Sequence, residues 1–209
     1  CLNSCTDEAY KVTPRPVTLD LTAPASLGDE GNLGRILFYD THLSVNNSIS
    51  CASCHKQTLG FSDNTSFSSG FENRLTARNA LPIQNLNSFF FNEFPLFWDG
   101  RENLLQTMVL KPILNHVEMG MEDETALVER VRNVPYYHDL FQKAFGNANI
   151  TSDGIAGALS DFIGHLSSIN TRFDKGPENF TAVETQGQQL FMEKYNCGGC
   201  HQLSTTGYG

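Results

Sequence analysis

The sequence holds six cysteines and six histidines, and two groups of them share one spacing. Cys51, Cys54 and His55 form a Cys-x-x-Cys-His unit in "ISCASCHKQ", and Cys197, Cys200 and His201 repeat it in "YNCGGCHQL". Zinc ribbons place their cysteine pairs about 15 to 20 residues apart, whereas these pairs are much more distant in sequence. A thioredoxin-like redox pair wants a βαβ context, and the pattern around both units lacks one. Covalent haem attachment explains all three residues. Two thioethers fix the porphyrin edge, and the adjacent histidine is placed to ligate iron. Two covalently bound c-type haems are therefore expected, with His55 and His201 as iron ligands, and with assembly outside the cytoplasm. The ligand opposite each histidine decides the chemistry: a strong one makes an electron carrier, an open side admits oxygen species. Two haems in one chain suggest that one relays electrons and the other reacts.

The elements that must position these units read as mainly α-helical. Residues 1–26 are polar, contain Pro14, Pro16 and Pro24, and read as a tail or wrapping arm. Leu33, Ile36 and Leu37 fall on one face of a first helix. Residues 56–100 are rich in Gly, Asn, Ser and Phe and break into turns; a loop of that length in a compact protein is usually functional. "EDETALVERVRN" predicts a helix with Leu127, Val128 and Val131 at helical spacing. "SDGIAGALSDFIGHLSSIN" carries a wide stripe of Ile155, Leu159, Phe162, Ile163, Leu166 and Ile169. "TRFDKGPENF", with Gly176 and Pro177, reads as a hinge, and "TAVETQGQQLFMEKY" opens on a capping box of Thr181 and Glu184. The resulting division is a haem domain over 27–170, a linker over 171–180 and the start of a second haem domain over 181–209. Only "QLSTTGYG" follows His201, too little to bury a porphyrin. The second domain is thus expected to be cut short in this chain, or completed by another subunit.

The 209 residues carry a net charge of −9 with few basic residues, which argues against nucleic acid and acidic membranes as partners. A basic soluble protein partner is compatible with that charge. No run of 18 or more apolar residues exists to span a membrane as a helix. The start lacks the basic-then-apolar layout of a signal peptide, as expected of a mature or trimmed form. Cys1 and Cys5 lie outside the repeated units and read as a local disulfide or part of an unstructured tail. Alternatively, "LNSC" (Leu2 to Cys5) resembles the end of a bacterial lipoprotein signal, which would make Cys5 a lipid anchor and the protein membrane-tethered.

"LGRILFYDTHLSVNNSISCASCHKQTLGFSD", "RNALPIQNL", "FWDGR", "KPILNHVEMGM", "NTRFD" and "GQQLFMEKYNCGGCH" occur in that order. From about Leu33 onward the chain thereby resembles the bacterial di-haem cytochrome c peroxidases and the related methylamine-utilisation di-haem enzymes. The resemblance implies two cytochrome-c-like haem domains and a periplasmic enzyme that reduces hydrogen peroxide to water. Electrons would come from a small cytochrome or cupredoxin, and family members are often homodimers. By position, His55 would serve the peroxidatic haem and His201 the electron-transferring haem. Glu118 matches the family's distal carboxylate, which can act as general base and then acid in peroxide cleavage. Trp98, the only tryptophan, matches the one lying between the haems; beside Phe89, Phe90, Phe91, Phe94 and Phe97 it also reads as packing. Asn79 matches a calcium ligand, although calcium wants six to eight oxygens and one Asn supplies little of that set.

Three positions depart from the family pattern. Phe71 stands where many members carry a removable histidine ligand, which implies a peroxidatic haem open without prior reduction of its partner. Met108 replaces a distal glutamine, removing a hydrogen-bond partner for peroxide. His116 replaces a proline beside "VEM" and reads either as a proton relay near Glu118 or as a solvent-facing loop residue. His42, His138 and His165 read as surface residues. The sixth ligand of the second haem, usually Met and sometimes Tyr, would come from further downstream; Tyr208 is too near His201 to serve easily. Two other functions fit the same features: a di-haem electron-transfer cytochrome, or an oxidase acting on a protein partner as in the methylamine-utilisation enzymes.

Overall fold

The computed structural model describes residues 27–86, 95–168 and 170–201, so the expectations for Cys1, Cys5, Phe89, Phe90, Phe91, Phe94, Ile169 and Tyr208 lie outside the described residues. The described chain is mainly helical. Its α-helices are α1 (Asp29–Tyr39), α2 (Cys51–Cys54), α3 (Leu105–Leu114), α4 (Glu124–Arg132), α5 (Pro135–Phe145), α6 (Ser152–Gly164) and α7 (Ala182–Gln189). Among the described residues β-pairing is confined to three isolated antiparallel bridges, Lys56 with Ser62, Ser69 with Leu75 and Leu96 with Glu102. Those bridges pin the long stretch between α2 and α3 into small hairpins.

α1 and α6 form the centre, with α5 against α1 and α3 against α6. The apolar stripes read from the sequence face inward: Leu33, Ile36 and Leu37 of α1 and Ile155, Leu159, Phe162 and Ile163 of α6 are all buried. Leu166 lies beyond the end of α6 and is partly buried against the same core. The close approach of the two helices depends on Gly34, where a Cβ would overlap the Ala158 carbonyl and press on Phe162. Backbone cannot yield as a flexible side chain can. Gly34→Ala is therefore expected to cost about 1–3 kcal/mol, measured as a lower midpoint in denaturant unfolding.

Caps stop these helices from fraying. Asp123 accepts from the Ala126 amide at the start of α4, and Thr151 accepts from the Gly154 amide at the start of α6. The Thr181–Glu184 capping box expected from the sequence opens α7. A buried polar link that the sequence pattern did not suggest joins α1 to α5. Asp40, at the end of α1 and only 1% exposed, accepts from the hydroxyls of Tyr136 at 2.5 Å and Tyr137 at 2.6 Å. Burial pushes the Asp40 carboxyl up, but the bonds from both tyrosines and His42 outweigh it and hold it below the usual carboxylate range.

α7 continues into a π-helical turn, Leu190–Lys194, and a 3-10 turn, Cys197–Gly199, and these pack chiefly on one another. None of the residues from 181 to 201 is buried, and Val183, Leu190, Met192 and Tyr195 are exposed. The main core therefore belongs to the residues before the 171–180 segment.

Candidate haem-binding site

Both Cys-x-x-Cys-His units form a single helical turn closed in the same way. The His55 amide donates to the Cys51 carbonyl at 2.9 Å, and the His201 amide donates to the Cys197 carbonyl at 2.8 Å. In each turn the two cysteines and the histidine are thereby gathered within one turn of backbone. At the first unit, Ser50 and Ser53 cap the four-residue helix α2 reciprocally. The Phe191 ring lies 6.3 Å from that of His201, the aromatic neighbour of the second unit.

His55 is oriented by its surroundings. Its Nδ1 lies 3.0 Å from the carbonyl of Phe61, and the Leu81 carbonyl also faces the ring. Burial lowers the His55 pKa, although both carbonyls and Asp63 favour the protonated form. A neutral imidazole with its proton on Nδ1 leaves Nε2 as the metal-binding nitrogen, the usual arrangement for a ligating histidine. Burial pushes the Cys51 thiol up to about 12, with the charges of Cys54 and Glu118 adding to it. The Cys54 thiol is raised as well, by burial first. Among the described residues no group of three or more His, Cys, Asp or Glu side chains is placed to hold a metal ion. The Cys-x-x-Cys-His set, with Nε2 of His55 left open, fits a haem.

Glu118 lies in the turn after α3 and is brought to this site. Its charge acts on both Cys51 and Cys54, and burial raises its own pKa, with Arg101 pulling the other way. The Asn115 amide reaches its carboxylate at 3.4 Å. Its backbone is fixed from the opposite side, since Phe71 donates its amide to the Glu118 carbonyl at 2.8 Å. Gly70 leaves no room there for a side chain, because a Cβ would overlap the Val117 carbonyl and the Glu118 backbone. The Phe71 ring lies over Gly120 and beside Val45, with the Arg74 guanidinium 5.5 Å from its centroid. Residue 71 therefore packs directly on the segment that carries Glu118.

The "FWDGR" turn lies further out. Phe97 and Gly100 both have positive φ, and the Leu96–Glu102 bridge closes the hairpin. Trp98 is 58% exposed in this chain, and its indole N–H donates to the Asn79 carbonyl at 2.8 Å. Core packing within the described residues is thus not its role. Asn79 also donates its side-chain amide to the Thr65 carbonyl at 2.5 Å, so two of its polar groups already have protein partners. Arg101 stacks on Phe97 at 3.8 Å and pairs with Asp99 at 2.8 Å, and Arg78 pairs with the same carboxylate at 2.9 Å.

His116 is exposed, and its carbonyl accepts from Arg74. Met108 is half-buried on α3 against the core. His138 and His165 are exposed, as read from the sequence, whereas His42 is half-buried with Nδ1 2.7 Å from Asp40. The sequence reading passed over Asp40, Asp63 and Arg101. The last two stood inside the quoted "LGFSD" and "FWDGR", where an acid two residues after Phe61 and an Arg next to Gly100 were the available signals.

Residues 29–179 match the family model described as di-haem cytochrome c peroxidase. The cytochrome c551 peroxidase of Nitrosomonas europaea is 33% identical over 183 residues, covering 86% of this chain and 53% of that protein. The methylamine utilization protein MauG of Methylorubrum extorquens is 36% identical over 174 residues, covering 81% of this chain and 48% of that protein. A crystal structure of a MauG-like protein associated with microbial copper homeostasis superposes with a TM-score of 0.73 at 30% identity, over 93% of this chain and 57% of that one. The chain spans about half the length of the curated relatives it matches. With two Cys-x-x-Cys-His turns closed alike and a half-buried carboxylate whose charge reaches the first of them, this chain belongs to the di-haem cytochrome c peroxidase family.

Proposed function

We propose that the chain is the peroxidatic part of a di-haem peroxidase that reduces hydrogen peroxide to water. One observation carries this reading: Glu118, a carboxylate with a raised pKa, faces the Cys51–Cys54–His55 turn from a segment locked in place by Gly70 and Phe71. Covalent haem at Cys51 and Cys54 would supply an iron centre able to cleave the O–O bond of peroxide, and His55 would hold that iron through Nε2 while Phe61 fixes its ring. Glu118 is the side chain of this chain that would take a proton from the peroxide and return it to the departing water, as general base and then acid. Cys197, Cys200 and His201 would hold the second haem, which would supply electrons drawn from a small periplasmic cytochrome or cupredoxin. Trp98 is the aromatic group offered to that route, and a calcium ion near Asn79 would draw mainly on main-chain oxygens and water. Homodimer formation, periplasmic location and a lipid tether at Cys5 belong to the same reading.

The test adds hydrogen peroxide to the fully ferric, full-length holoprotein with a reduced small cytochrome as donor, followed by stopped flow. Donor oxidation without a lag is expected. A protein silent in both the ferric and the half-reduced state would overturn the peroxidase reading. It would favour the electron-transfer one, for which Met108 is the specific support, since its thioether cannot donate a hydrogen bond to peroxide.

A further inference from the structure

Phe61 is a bulky residue with φ of +57°, a conformation that non-glycine residues adopt only when the surroundings enforce it. Its carbonyl is the one that faces Nδ1 of His55, and its ring is turned into the core, 6.1 Å from that of Phe38. The strain therefore falls on the residue that orients the candidate iron ligand. The hairpin around it is held by the Phe61 amide donating to the Lys56 carbonyl and the Lys56 amide donating to the Ser62 carbonyl, both at 2.9 Å. Outside that hairpin sits one buried carboxylate. Asp63, whose side chain is 4% exposed, pairs with Lys56 at 2.5 Å through Oδ1 and accepts from the Ser68 hydroxyl at 2.6 Å through Oδ2. The Asn64 amide also donates to Oδ1 at 2.8 Å. Lys56 follows His55 directly in the chain, and the Ser68 hydroxyl that Asp63 holds is buried. A single acid thus braces the residue after the histidine and the chain at Ser68.

We propose that Asp63 is a positioning residue for His55, holding the Lys56–Ser62 hairpin so that the Phe61 carbonyl stays on Nδ1. A histidine that donates from Nδ1 is a stronger electron donor from Nε2, and a buried negative charge beside it acts in the same sense. Asp63 in this way keeps the attached iron electron-rich and its reduction potential low, while Lys56 moderates the effect. The inference rests on His55 being a haem ligand, and the test separates the two ideas.

Full-length holoprotein is prepared as wild type, Asp63→Asn, Asp63→Glu and Lys56→Met. Covalent haem is counted first, by pyridine haemochrome; two haems per chain in the wild type establish the attachment on which the inference stands, and fewer would overturn both. The midpoint potential of the N-terminal haem is then read by optical redox titration. Asp63→Asn is expected to shift it upward, Lys56→Met downward, and Asp63→Glu to lie between Asp63→Asn and the wild type. A shift of the Asn and Met variants in the same direction would mean that the buried negative charge does not set the potential, and that result, or no shift in either, would overturn the proposal. Should Asp63→Asn fail to accumulate, the sign of the shift in Lys56→Met, whose side chain is 38% exposed, decides alone.

Discussion

Glu118→Gln is expected to lower peroxide turnover by about 10²- to 10⁴-fold while both haems stay attached, as read by steady-state kinetics beside a haem count. Gln keeps the shape and the Asn115 contact but can neither take nor return a proton. The acid limb of the wild-type pH profile belongs to the same group. Because burial raises the Glu118 pKa, the base form is lost as pH falls through a value above that of an ordinary glutamate. Arg101 opposes that rise, so Arg101→Gln should move the acid limb to higher pH. The stability of the fold supplies an independent check. A carboxyl whose folded pKa lies above its unfolded one penalises the native state once it ionises, so stability falls as pH rises through that interval. Glu118→Gln removes the penalty. At neutral pH the variant should be at least as stable as the wild type in thermal unfolding, and the difference should close as pH drops below the unfolded carboxylate pKa. A large loss of stability at neutral pH would mean that Glu118 is a brace and not a catalytic acid.

The parts of this molecule that repeat or alternate were legible in the sequence. The stripes of α1 and α6 are periodic because one face of each helix is buried, and they face the core as expected. The Thr181–Glu184 capping box is local chemistry, complete within four residues, and forms as written. The Cys-x-x-Cys-His units were legible for the same reason, since one turn of backbone contains every group. What sequence did not disclose depends on partners distant in the chain. Asp40 and Tyr136 are separated by 96 residues and meet only because α5 packs on α1. Asp63 reads as one more polar residue in a loop until its bonds to Lys56 and Ser68 show why it is buried. Trp98 reads in the sequence both as packing and as an aromatic group on an electron route; among the described residues its indole is 58% exposed and gives its N–H to the Asn79 carbonyl.

Phe71→His is expected to convert the peroxidatic haem from an open to a closed state. In the wild type, residue 71 offers a hydrocarbon ring, a backbone amide already given to Glu118 and a carbonyl that accepts from the Arg74 amide. The ring is held by Val45, Gly120 and Arg74, so it fills space beside the acid without supplying a lone pair. An imidazole at this position adds a nitrogen ligand close to the segment that carries Glu118. The ferric absorption and electron paramagnetic resonance spectra should then show the N-terminal haem changing from high-spin to low-spin, and immediate turnover of the ferric enzyme should disappear. Pre-reduction of the second haem should restore activity if the new ligand can be displaced. The Phe71→Leu variant separates ligation from packing: it empties part of the same space, offers no nitrogen, and should remain high-spin and active without reduction. A Phe71→His protein still high-spin and active in the ferric state would show that residue 71 does not reach the metal, and the open-haem argument would then have to rest on other residues. If the wild-type haem were already low-spin, another side chain would hold the sixth position, and exposed His116, two residues from Glu118, would be the first to replace.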